Sequence, residues 1–292
     1  MSLHVTEVRD PVEAFDRAGA FLAARPERHN IGLTVLEQDR LGRLGGCSWI
    51  VEHGAQVVGY ALQSPPGRLL GLAQMDDEVV RALADAVPAG LPGVIGDAAG
   101  AATFAGRYAE RHHVGATPAS PGRLYALRAL TPVATAPGRL RAADTRDRDL
   151  LVEWSIAFGD DTGTGREHAE QAVDWKLATG LCWIWEDTGP VAMTASAPPA
   201  AGVARVQSVY TPDEHRRHGY ATACVEHVSR VLTGRGLRCV LFTQLENPTA
   251  NAIYRRLGYE PITEWLAYEF SPGGGPPGGG PAGGGDGGAA GG

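Results

Sequence analysis

Two segments of this chain lie over one another at a constant offset of 134 residues, and that repeat restricts the fold more than any other feature. "CSWIVEHGAQVVGYALQSPP" (residues 47–66) aligns with "LCWIWEDTGPVAMTASAPPA" (residues 181–200), setting Trp49 on Trp183, Ile50 on Ile184, Glu52 on Glu186, Val57 on Val191, Ala61 on Ala195 and Pro65 on Pro199. Each copy reads as two short strands joined by a Gly-containing turn, HGAQ or DTGP, which is a β-hairpin pattern. The surrounding elements recur in the same order. Helical material precedes each hairpin, at 11–38 in the first half and at 146–158 and 166–179 in the second. After it come a strand (RLLGLAQ or ARVQSVY), a helix (DDEVVRALADAV or GYATACVEHVSRVL), a strand (GVIGDA or RCVLFTQ), a helix (AATFAGRYAERH or PTANAIYRRL) and a last strand (RLYALRAL or EWLAYEF).

Duplication of an α/β unit is the simplest account, with domains expected at 1–133 and 138–270 and a boundary within 131–147, where Pro, Thr and Ala interrupt the pattern. A chain of 292 residues can bury a core in each. The remaining stretch, "SPGGGPPGGGPAGGGDGGAAGG" at 271–292, has no large apolar side chain to offset the entropy of ordering it, and is expected to be disordered.

The second half carries the chemistry. After ARVQSVY comes "TPDEHRRHGYAT", then a helix whose Ala221, Cys224, Val225, Val228 and Leu232 recur at the spacing of one buried face. Strand, Gly-containing turn and helix is the arrangement that aims unpaired backbone N–H groups and the positive end of the helix dipole at an anion. Arg216, Arg217 and His218 would oppose that dipole unless a phosphate binds there. Gly219 allows close backbone approach, and the small Ala221 leaves room beside it. On its own such a start is equally a charged, solvated helix end. It is neither a Walker A loop nor a GxGxxG fingerprint.

Composition confines any anion site to a local patch. The net charge of −7 and pI near 5.7 exclude a protein that covers nucleic acid with its whole surface. Cys47, Cys182, Cys224 and Cys239 are widely spaced, with no CxxC and no neighbouring His at ligand spacing, so neither a metal site nor a disulfide framework is expected. They suit small apolar positions in a reduced core. With a charged N-terminus and no long apolar run, the expectation is a cytoplasmic protein without nucleic-acid or membrane partners.

Arg216-x-x-Gly219-x-Ala221 after a strand resembles the [Q/R]-x-x-G-x-[G/A] signature of the GNAT superfamily of N-acetyltransferases. "LFTQLENPTANAIYRRLGYEP" (241–261) resembles the strand and helix that follow it in that family, and the likeness runs over roughly 140–270. The resemblance implies a tandem architecture of two GNAT-like domains, each a mostly antiparallel, mixed α/β sheet flanked by helices and splayed between its fourth and fifth strands. It implies acetyl-CoA as co-substrate, with no metal. The pyrophosphate would lie on Arg216, Arg217, His218, Gly219, Tyr220, Ala221 and Thr222. Backbone groups of Val209, Tyr210 and Thr211 would hold the pantetheine and acetyl carbonyl, with Asn247 and Asn251 near the pantetheine arm.

Tyr254 would be the general acid for the leaving thiolate, although Ala250, Ile253, Tyr254 and Leu257 also share a helix face and a core aromatic is the competing reading. The implied activity is transfer of acetyl to a primary amine of a small molecule or peptide by direct attack in a ternary complex. ARVQSVY lacks the Glu that many of these enzymes use as base, so a water relayed by Ser208 or Gln207, or an acid on the acceptor loop, would substitute. In that loop, "FGDDTGTGRE", Thr164 and Glu167 fit a capping box. Asp160 and Asp161 would attract a cationic amine there, against a solvated acidic loop as the alternative. Trp154 and Glu186 are further candidates for the acceptor wall. The first half puts Asp76, Asp77 and Glu78 at the equivalent helix start, which suits the dipole and repels pyrophosphate, so it is expected to be a degenerate copy that binds no CoA. A non-catalytic CoA-binding module and a longer acyl-CoA donor are the alternatives, in a monomer or homodimer.

Overall fold

The structure is a computed structural model that describes residues 2–42, 45–133, 136–159 and 165–273. The first half runs β1 (Leu3–Val8), α1 (Pro11–Ala23), α2 (Asn30–Arg40), β2 (Cys47–His53), β3 (Gln56–Gln63), β4 (Leu70–Leu72), α3 (Asp77–Ala86), β5 (Gly93–Asp97), α4 (Ala98–His112) and β6 (Val114–Leu127). The second runs β7 (Arg139–Ala142), α5 (Arg148–Gly159), α6 (Arg166–Thr179), β8 (Cys182–Glu186), β9 (Pro190–Ser196), β10 (Val203–Tyr210), α7 (Tyr220–Gly234), β11 (Arg238–Gln244), α8 (Pro248–Arg256) and β12 (Tyr259–Pro272).

The repeat is visible in local geometry as well as in element order. β2 pairs β3, and β8 pairs β9, with a register irregularity at Val51/Glu52 in one hairpin and at Trp185/Glu186 in the other, the same place at the offset of the repeat. Two strands escaped the sequence reading. β1 and β7 are short edge elements, and β7 lies inside the stretch assigned to the boundary.

All twelve strands form one mixed, mostly antiparallel sheet in the order β1-β2-β3-β4-β5-β12-β6-β11-β10-β9-β8-β7. The halves exchange their last strands. β12 pairs with β5 of the first half, β6 pairs with β11 of the second, and the two exchanged strands pair with each other from Tyr259↔Leu127 to Pro272↔Val114. Ser271 and Pro272, expected in the tail, therefore belong to β12, and the tail from 274 onward lies outside the described residues.

Helices cover both faces of each half. α1 begins at Asp10, whose side chain accepts from the Val12 N–H, and buries Ala14, Ala18 and Leu22. It packs with α2 on one face (Leu33, Leu36, Ile50, Tyr60), while α3 and α4 cover the other (Val80, Leu83, Phe104, Tyr108). In the second half α5 and α6 lie over Cys182, Ile184, Met193 and Ala195. α7 lies over Ala204, Val206 and Leu241 on the opposite face through Val225, Val228 and Leu232. α6 starts from Gly165 with no side-chain cap and has Arg166 as its first residue, and the capping box expected between Thr164 and Glu167 falls on a residue, Thr164, that lies outside the described residues. Among the described residues no helix is long and apolar enough to cross a membrane.

Candidate active site

β10 and β11 are parallel neighbours from Val203↔Arg238 to Val206↔Leu241, and there their ladder stops. β10 continues along β9 to Tyr210↔Met193, and β11 continues along β6 to Gln244↔Gly122. The strands therefore diverge and leave main-chain groups of both edges without each other, which a sheet interior tolerates only where something else satisfies them. A bulge sits at this point. Between Gln207 and Tyr210 the register shifts, and Ser208 takes a left-handed conformation at φ 53°. This is the place assigned to Val209, Tyr210 and Thr211, and Thr211 Oγ1 is buried there without a partner among the described residues.

At the mouth of the divergence α7 begins. Its N-cap is Gly219 at φ 84°, no side chain caps the helix, and the first turn holds no acid. Arg217 is also left-handed, at φ 68°. Two positive-φ residues so close together curve the loop and leave the first N–H groups of α7 facing outward, which is an anion-binding geometry. Arg216 closes the loop: its Nε donates to the Thr211 carbonyl at 3.2 Å and its Nη2 pairs with Asp213 at 2.7 Å. Arg217 is exposed and makes no hydrogen bond or ion pair among the described residues. His218 bonds through Nδ1 to the His215 carbonyl at 3.2 Å and stacks on Tyr220. Tyr220 itself points inward, its ring packed with Ala136, Trp185 and Val191 and its hydroxyl donating to Asp187 at 2.8 Å, so it offers the site its main-chain N–H. Ala221 and Thr222 complete the first turn, and Arg256 of α8 donates to Thr222 Oγ1 at 3.4 Å. That third arginine has no signal in the sequence, because its approach to α7 depends on how α8 packs.

α3, the counterpart in the first half, carries acids instead. Asp77 accepts from Thr103 Oγ1 at 2.6 Å and Arg81 Nε at 2.8 Å, which hold its carboxyl below the usual range. A helix start of that charge repels phosphate.

Tyr254 lies beneath the divergence on α8, 8% exposed, with its ring near Tyr125 and Tyr259. Burial pushes its phenol up to about 12, and its hydroxyl has no hydrogen-bond partner among the described residues. The two asparagines expected near the pantetheine are engaged in the protein. Asn247 caps α8 by accepting from the Ala250 N–H at 2.9 Å, and Asn251 Nδ2 donates to the carbonyls of Gln244 and Asn247 at 3.0 and 2.7 Å. Asn251 Oδ1 accepts from Tyr125 Oη at 2.8 Å. Tyr125 belongs to β6, so the first half braces the helix that carries Tyr254.

Of the acceptor-wall candidates, Trp154 and Glu186 are described, and they lie on different elements. Trp154 is buried and backs Tyr210, with ring centroids 6.1 Å apart. Glu186 sits on β8, two strands from β10, and pairs with Arg141 at 3.2 Å and Arg139 at 3.7 Å. Asp160 and Asp161 lie outside the described residues. Both neutral groups considered as relays on β10 are occupied: Lys176 Nζ donates to Ser208 Oγ at 3.1 Å, and Arg205 Nε donates to Gln207 Oε1 at 3.4 Å. Among the described residues no group of His, Cys, Asp and Glu could hold a metal ion.

Comparison with known proteins agrees with this geometry. The model of the Acetyltransferase (GNAT) family matches residues 148–259. Among solved structures, an acetyltransferase of the GNAT family from Colwellia psychrerythraea superposes with a TM-score of 0.62 at 12% identity, covering 93% of this chain and 100% of that one. A GCN5-related N-acetyltransferase from Sphaerobacter thermophilus gives 0.60 at 19% identity, covering 90% and 94%. A tandem GNAT protein from the clavulanic acid biosynthesis pathway gives 0.54 at 13% identity, covering 94% and 100%. At these identities the likeness is one of fold. No curated protein matches the sequence.

Proposed function

Starting from a chain whose residues 148–259 carry a GNAT acetyltransferase domain, we propose that the protein transfers an acetyl group from acetyl-CoA to a primary amine in a ternary complex. The observation that carries this reading is the divergence of β10 from β11 with the uncapped N-terminus of α7 at its mouth. The residues there fit the donor. A diphosphate suits the outward N–H groups of Gly219, Tyr220, Ala221 and Thr222, with Arg217, His218 and Arg256 around them. The freed edge of β10 at Val209, Tyr210 and Thr211 suits an amide-bearing arm. When bound, acetyl-CoA supplies the activated thioester.

The chain's own groups supply the rest. The bulge offers backbone N–H groups where an oxyanion would need stabilising. Tyr254 keeps a proton on a hydroxyl that no group among the described residues occupies, as a general acid must. The first half acts as scaffold through Tyr125 and as a helix start closed to phosphate. Its equivalents at 76–78 bind no donor in this reading, so one CoA per chain is expected.

Thiol release from acetyl-CoA across a panel of primary amines tests the reading directly. Turnover that drops on Tyr254→Phe supports it. Tight CoA binding without turnover of any amine points to a non-catalytic module, and faster turnover of longer acyl-CoAs points to a different donor.

A further inference from the structure

The middle of β10 carries positive charge that no acid among the described residues balances. Arg205 lies within an apolar strand, half-buried, and its guanidinium donates to two neutral oxygens: Asn30 Oδ1 of α2 at 2.9 Å and Gln207 Oε1 at 3.4 Å. Lys176, the one lysine in the sequence, is half-buried on α6 and bonds to the hydroxyl of Ser208. Among the described residues neither cation forms an ion pair. Glu27 and Asp147 are committed elsewhere: Glu27 to Arg128 and Arg238, Asp147 to Arg141. Burial lowers both cations, Arg205 to about 10, and no carboxylate contributes to either shift.

These groups share a sheet face. Gln207 is directly across from Ala195, and Ala195 from Cys182, both of which pack under α5 and α6. Ala204 and Val206 pack toward α7 on the other side. Arg205 and Gln207 therefore face the layer from which Lys176 descends. Asn30, fully buried, adds an Nδ2 group without any partner among the described residues. An uncompensated, partly desolvated cation is costly and persists most readily where an anion arrives to complete it. Ser208 adjoins Val209, so that anion would sit beside the reacting centre.

We propose that Arg205 and Lys176 hold the carboxylate of an amino-acid-like acceptor, fixing its amine beside the bulge of β10. The proposal rests on the donor assignment above. A carboxylate close to the amine suits the short span between the Lys176 anchor at Ser208 and the edge of β10 at Val209. The planar guanidinium binds such a group with two parallel hydrogen bonds.

The test is calorimetric titration of N-acetylated amino acids, each beside its carboxamide, into the protein alone and into the protein saturated with CoA. At least one acid is expected to bind about tenfold or more tightly than its amide, as loss of a charge-assisted contact implies. That preference should vanish in Arg205→Gln and Lys176→Met and return in part in Arg205→Lys, with CoA affinity unchanged as the sign of an intact fold. If Arg205→Gln does not fold, Lys176→Met carries the test. No acid preferred over its amide, tighter binding of a matched aminophosphonate, or a preference indifferent to the substitutions overturns the proposal. The two readings fail separately. Carboxylate preference without CoA binding sinks the donor assignment alone, and acetylation of carboxylate-free amines at equal efficiency sinks the cation pair alone.

Discussion

Tyr254 joins burial to chemistry in one side chain. Raising a phenol's pKa favours its neutral form, so the hydroxyl of this largely buried side chain remains protonated at neutral pH and its proton can be given up when a thiolate forms. Tyr254→Phe keeps the ring and its packing, and is expected to lower kcat by about a hundredfold while leaving the KM for acetyl-CoA in place. The sign of the pH dependence follows. Because the folded pKa lies above the unfolded one, the stability tied to neutral Tyr254 is present below about pH 10 and is lost as pH rises toward about 12. The rate should accordingly show no decline assignable to Tyr254 up to about pH 10, which a kcat profile with a stable amine would reveal. Gly219 makes a backbone demand instead. At φ 84° an Ala would be strained by about 1–2 kcal/mol, and since the helix start is also the proposed phosphate seat, Gly219→Ala should weaken CoA binding about tenfold by calorimetry.

Whole elements carry the contrast between the halves. α7 and α3 occupy equivalent places, yet α7 begins without a cap or an acid and α3 begins with Asp76, Asp77 and Glu78. Arg217→Glu would bring α7 toward α3. The expected outcome has two opposite signs: CoA affinity falls about tenfold or more, while stability without CoA rises by about 0.3–1 kcal/mol because the dipole now meets a favourable charge. Denaturant midpoints with and without CoA measure both. At the other edge of this half, Arg141 grips Asp147 through Nη1 and Nη2, both at 2.7 Å, and pins β7 to the start of α5. The pair is largely shielded, with side chains 26% and 9% exposed. Arg141→Ala should destabilise by about 2–3 kcal/mol, since a partly buried carboxylate loses its counter-charge. The Arg141 hydrogen bonds hold the Asp147 carboxyl below its ordinary range, so this stability is present above about pH 4 and fades as pH falls through the lower folded value. Urea midpoints between pH 3 and 7 should fall more steeply on the acid side for the wild type than for the variant.

At the scale of the molecule, exchange of β6 and β12 governs behaviour. Each half ends in a strand that is hydrogen-bonded into the other half, and the exchanged strands pair along their length. A separately produced 1–133 or 138–270 would expose long strand edges and lose neighbours such as the Tyr125–Asn251 contact. Each is expected to aggregate or stay unfolded alone, and the two together to form one soluble, CoA-binding particle by size-exclusion chromatography. Independent, well-folded halves would contradict this.

Much of this was legible because it depends on local chemistry. The hairpin repeat, the apolar stripe of α7 and the Gly219 turn are written in neighbouring residues, and near-neighbour sterics and periodicity fix them. Arg205 gave a faint signal, a cation within an apolar strand, and Lys176 another as the one lysine of the sequence. Neither could be placed, since an unbalanced charge is defined by what other elements fail to bring near it. The same limit hid Tyr125 and Arg256, and the pairing of Glu186 with Arg141. The sequence by itself thus determined the duplicated α/β plan, and which half has an acid-free helix start behind a Gly turn and which an acidic one. Only the tertiary structure decided that the halves trade strands into one sheet and which charges are left unpaired, because strand partners and counter-charges are chosen by packing between residues far apart in the chain.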